Sequence, residues 1–107
     1  MGNMVKCYEV CMEFSNGHFD SDETFIREDS HKWEAGPFLT QDDAVAHAMK
    51  CFREGAKKDN GRLHNIEKGD SKLDVIYRFL SDNGKPTNRG SEYSCIVLER
   101  NFELTEF

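Results

Sequence analysis

Residues 4–14, "MVKCYEVCMEF", alternate in character: Met4, Tyr8, Val10, Met12 and Phe14 share one parity, while Val5, Cys7, Glu9, Cys11 and Glu13 share the other. Period-two alternation of this kind predicts a half-buried strand. Asn16-Gly17 follows, a dipeptide that tolerates the positive φ of tight hairpin turns, so "FDSDETFIRE" reads as an acidic returning strand. "HKWEAGPFL" reads as extended or irregular, because Pro37 restrains the residue before it and that residue is Gly36.

The period changes in "TQDDAVAHAMKCFREG", residues 40–55. At about 100° per residue Val45, Ala48, Met49, Phe52 and Ala56 fall on one stripe, with Asp43, His47, Lys50 and Glu54 on the other side. Thr40 is placed to cap the helix, Asp42 and Asp43 suit its first turn, and Arg53, Lys57 and Lys58 suit its last. Each residue of the stretch thus has a folding reason, and none requires a ligand.

Residues 58–72 read as a long polar connection with a brief extended piece at Leu63–Ile66. Alternation returns at Leu73–Leu80, where Val75, Ile76, Tyr77 and Phe79 favour a strand over a helix. "SDNGKPTNRGS" is a turn-rich link to a last strand, in which Ile96, Leu98, Phe102 and Leu104 share a parity opposite to Cys95 and Val97. The expected fold is one α+β domain over residues 1–107: an antiparallel four-stranded sheet with one helix packed on it, in the order β-β-α-β-β. Tyr77, Tyr93, Cys95 and Val97, if outward, would give the uncovered face an apolar surface for a second chain.

At 107 residues the chain has the length of one domain, and with 8 Phe, 3 Tyr and 1 Trp it carries enough apolar material for a core. No apolar run approaches the ~20 residues that cross a bilayer, and Lys6, Glu9 and Glu13 interrupt residues 1–14, so neither a signal peptide nor an anchor is expected and the expected compartment is the cytoplasm. Cys7, Cys11, Cys51 and Cys95 form no C-x-x-C pair and read as free thiols.

Charge changes the picture most. Residues 1–43 carry ten acids against three bases, residues 44–72 seven bases against four acids, and the remainder six acids against four bases, which together give the net charge of -6. That field disfavours direct nucleic-acid binding, and the moderately basic middle segment lacks any RNA-binding signature. Asp20, Asp22, Glu23, Glu28, Asp29 and Glu34 are the candidate partner-binding residues. Same-face residues on a strand lie ~6.6 Å apart, close to the ~7 Å between phosphates along one DNA strand, so acids in such a row could compete with nucleic acid for a basic groove.

The candidates for chemistry are sparse. His18 with Asp20 and Asp22, and His47 with Cys51, are the nearest approaches to metal ligation, and neither has the spacing of a known site. No nucleophile elbow, phosphate loop or H-E-x-x-H motif is present. The expectation is a non-enzymatic acidic module, without cofactor or metal, that binds a basic, nucleic-acid-handling protein as a phage or mobile-element inhibitor of the anti-CRISPR or DNA-mimic kind would. The alternative is a homodimeric accessory or scaffold module using its apolar sheet face, and a small enzyme or metal protein ranks third.

Overall fold

The computed structural model describes residues 3–104. Five strands and one helix follow in the order β1 (Asn3–Phe19), β2 (Phe25–Phe38), α1 (Gln41–Lys58), β3 (Gly61–Lys68), β4 (Lys72–Leu80) and β5 (Pro86–Leu104). The strands form one antiparallel sheet in the spatial order β2-β1-β5-β4-β3. The α+β class and the single helix on an antiparallel sheet agree with the sequence pattern, but the sheet has five strands where four were expected.

The fifth strand is β3, which lies in the predicted polar connection and pairs along β4 from Gly61–Phe79 to Lys68–Leu73. A register shift between Leu63 and Asn65 explains why it reads as no more than the brief extended piece at Leu63–Ile66. The extra residue puts Leu63 and Ile66, three apart, opposite Tyr77 and Val75 on one face and so breaks the period of two.

The first turn also differs from expectation. β1 runs straight through Asn16-Gly17, and the chain reverses at Asp20–Thr24, where Asp20 Oδ1 accepts the backbone N–H groups of Asp22 and Thr24, both at 2.9 Å. Gly17 is required for closeness: a Cβ there would strike the Ile26 carbonyl and come within 2.7 Å of the Phe25 ring. Of the three Asn-Gly pairs only Asn83-Gly84, with Gly84 at φ 81°, lies in a hairpin turn. That turn is short, so β5 begins at Pro86, inside the segment read as a link.

Helix α1 forms where its pattern predicts, with Ala44 buried in addition to the expected stripe. The Thr40 side chain accepts the Asp43 N–H at 3.1 Å, and Ala44, Ala48, Phe52 and Ala56 are buried with Val45 and Met49 beside them. The helix packs over Val10 and Met12 of β1, Leu73, Val75 and Tyr77 of β4, and Tyr93, Cys95 and Val97 of β5. Tyr93 centres this layer, its ring 4.9 Å from Phe14, 5.1 Å from Phe52 and 5.8 Å from Tyr77.

The core therefore contains Tyr77, Tyr93, Cys95 and Val97, the four residues that would have made an outward docking face. They point toward the helix, and Ile96 points away, 47% exposed. Both parities of β5 are apolar, and its pairing with β1 and β4 decides which set is covered. The side chains of Phe102 and Leu104 lie outside those described.

The molecule is long, 61 × 23 × 21 Å, with a radius of gyration of 17.1 Å against the ~13 Å of a compact chain of this length. The cause is the central pair: β1 and β5 stay in one register from Asn3–Leu104 to His18–Arg89. β2 reaches only Tyr8 on one side, and β4 begins opposite Ile96 on the other.

Candidate functional site: the acidic arm and its edge strand

β2 forms one edge of the sheet, and every residue from Ile26 to Glu34 along it is exposed. With the turn before it, this arm carries all six acids singled out from sequence. Between Asp20 and Glu34 they stand against only Arg27 and Lys32.

The structure separates the six by role. Asp20 is occupied by its turn. Glu23, at the tip and at φ 62°, pairs with Arg78 of β4, which reaches it from across the sheet. Glu28 accepts from His18 Nδ1 and from Arg89, both at 2.8 Å, and these bonds hold its carboxyl below the usual carboxylate range. Among the described residues Glu34 receives only the Cys11 thiol, at 3.6 Å. Asp22 and Asp29 have no side-chain ion pair or hydrogen bond among the described residues.

No unbroken row of acids spaced like phosphates forms on β2. Asp29 lies opposite Asn16 on the helix-bearing side, Glu34 opposite Cys11 on the other side, and Ser30, His31, Lys32 and Trp33 intervene.

Arg78 was not visible as a functional position in the sequence. Its side chain is 10% exposed, its guanidinium lies 3.8 Å over the Phe19 ring, and Nη1 donates to the Thr87 carbonyl at 2.8 Å. Phe25 and His64 pack on the same ring, at 5.4 and 4.7 Å. Gly90 leaves the space that Phe19 fills, since a Cβ there would come within 2.8 Å of that ring. This cluster fastens the tip of the arm to β4 on the face opposite the helix.

That open face also carries Ile96, 47% exposed, with half-buried Ile76 and Leu98, and its charged side chains pair with one another. Arg27 pairs with Glu92, Lys32 with Glu13 at 3.6 Å, Lys72 with Asp74 at 3.7 Å and Arg100 with Glu9 at 3.6 Å. A shallow depression of about 530 Å³ crosses it beside β2, lined among others by Cys11, Glu13, Lys32, Glu34, Ser94 and Ile96. Burial, followed by the nearby Glu34 carboxylate, raises the Cys11 thiol above its ordinary value, so this thiol is not activated as a nucleophile.

The metal candidates fare differently from each other. Among the described residues no three His, Cys, Asp or Glu side chains gather as a metal set. His18 turns to Glu28 while Asp20 is spent on the turn. His47 and Cys51 do meet, Nε2 to Sγ at 3.6 Å, with the imidazole against Phe38 at 5.2 Å, so His47 flanks the core and does not sit on the far side of the helix. No helix of the described residues is long and apolar enough to cross a membrane. Compared with protein-family models, curated proteins and solved structures, the chain matches none.

Proposed function

We propose that the protein is a non-enzymatic protein-binding module whose acidic β1–β2 arm docks on a basic partner. The partner class that fits best is a nucleic-acid-handling protein with a basic groove, as an inhibitor encoded by a phage or mobile element would target. The observation that supports the reading is the arm itself: an exposed edge of nine consecutive residues, six acids to two bases from Asp20 to Glu34, pinned to the sheet by Arg78. A pre-ordered edge with a net excess of acids loses little conformational entropy on docking and steers encounter with a basic surface.

Among the described residues Asp22 and Asp29 are the arm acids whose side chains have no partner, and the test falls on them. Immobilised protein is used to capture partners from cells that carry the encoding element, at low and high salt, alongside Asp22→Lys/Asp29→Lys. A basic protein held at low salt, released at high salt and missed by the variant supports the reading. Capture that neither salt nor the variant changes refutes it.

A further inference from the structure

We propose that β2 also pairs with β2 of a second copy of this chain: residues 31–35 of two molecules align antiparallel about a two-fold axis through Trp33. Two five-stranded sheets then become one of ten, with both helices on the same side. This pairing requires nothing of the acidic tip and stands whether or not a basic partner exists.

A two-fold axis perpendicular to a sheet sets one residue opposite itself and pairs its neighbours reciprocally. The regular part of β2 runs from Asp29 to Ala35, between register shifts at Asn16/Gly17 and Tyr8/Val10. Few centres fit within it. An axis on His31 opposes Ser30 to Lys32 and gains no pair of opposite charges. An axis on Lys32 opposes two ammonium groups.

An axis on Trp33 sets Lys32 opposite Glu34 of the second copy, twice, and His31 opposite Ala35, twice. These directions match the faces observed. Lys32 and Glu34 lie opposite Glu13 and Cys11 on the open face, while Trp33 lies opposite Met12 on the helix-bearing face, where it would meet its own copy. Trp33 is 37% exposed and Lys32 81%.

Neither charge is firmly engaged within one molecule. Among the described residues Lys32 reaches Glu13 at 3.6 Å, and Glu34 has only the Cys11 thiol. A lysine on an edge strand ordinarily discourages sheet-to-sheet pairing. Here the same five residues carry the complement of that lysine at the position a two-fold axis requires, and an apolar indole between the two. Five residues a side make an interface below the ~1,000 Å² of stable assemblies, so the dimer is weak and depends on concentration.

The test is charge complementation, read by sedimentation velocity over a concentration series and by the emission of Trp33, the sole tryptophan. Lys32→Glu and Glu34→Lys each place like charges opposite one another twice, and each should raise the dissociation constant at least about ten-fold. The double variant Lys32→Glu/Glu34→Lys should dimerise like the wild type, and an equimolar mixture of the two single variants should re-associate. All positions changed are exposed, and circular dichroism checks that the variants fold. A wild type that stays monomeric across the series overturns the proposal. So does a dimer that the single variants leave intact, or one that neither the double variant nor the mixture restores.

Discussion

Gly55 lies inside α1 directly over the Tyr93 ring, and replacing it tests which face of the sheet is the core. A Cβ added there would fall on the phenolic oxygen, with ring carbons Cζ and Cε1 at 2.8 and 3.2 Å. In an unobstructed helix Gly→Ala stabilises by about 1 kcal/mol. Here the methyl group overpacks a contact that cannot give way easily, because Tyr93 is held by Phe14, Phe52 and Tyr77. Overpacking costs about 1–3 kcal/mol, so the net effect is a loss of up to about 2 kcal/mol. At about 4–8 °C per kcal/mol for a domain of this size, Gly55→Ala should lower Tm where a solvent-facing Gly→Ala would raise it. Tyr93→Phe removes the oxygen but leaves Cζ close, so the penalty should shrink in that background without vanishing. The assay is thermal unfolding of the four members of the cycle by circular dichroism. A Gly55→Ala protein with a raised Tm, or a penalty unchanged by Tyr93→Phe, would refute the placement of Tyr93 under the helix.

Arg78→Met should cost about 1–3 kcal/mol in chemical denaturation, because it deletes the Phe19 and Thr87 contacts together with the pair to Glu23. Glu23→Gln should cost less, since that carboxylate is 65% exposed and solvent screens it. Glu28 is depressed by His18 and Arg89, so its folded form binds fewer protons than its unfolded form near its ordinary pKa. Stability from this group is therefore full above about pH 4.5 and is lost as the pH falls through the depressed value; Glu28→Gln should flatten that acid limb in a pH series of urea midpoints. Burial pushes the Cys95 thiol up to about 11, so at mildly alkaline pH it should resist iodoacetamide in the folded protein and react once denatured, as read by peptide mass spectrometry.

The helix was legible because its information is local: Thr40, the two aspartates and the stripe Val45, Ala48, Met49, Phe52 and Ala56 specify it without reference to the sheet. The sheet was legible only where one parity was apolar. In β5 both parities are, so the covered side depends on β1 and β4, and no local pattern records it. β3 was legible only as a brief extended piece at Leu63–Ile66, because a single extra residue near His64 destroys the alternation that identifies a full strand. The first hairpin was misplaced for a related reason. Asn16-Gly17 has turn chemistry, yet Gly17 serves the close approach of Phe25 and Ile26, and Asp20 makes the turn with its side chain three residues later.

The candidate site shows the same division between count and pairing. That the arm is acidic is a matter of composition; that Glu23 and Glu28 are already spent depends on Arg78 and Arg89, which lie 55 and 61 residues away in sequence. The distinction has consequences for how an acidic arm could act. A paired acid cancels its neighbour at contact range, but the arm's net excess of acids still sets the potential felt by an approaching cation at a distance. On the acidic-arm proposal, long-range steering therefore belongs to the whole arm, while short contacts fall to Asp22 and Asp29, and to Glu34 where it is not paired across the two-fold axis. Reversing Asp22 or Asp29 should accordingly speed dissociation from a basic partner. Disturbing Glu23 or Glu28 would act first on the arm's shape, by freeing the tip that Arg78 and Arg89 hold.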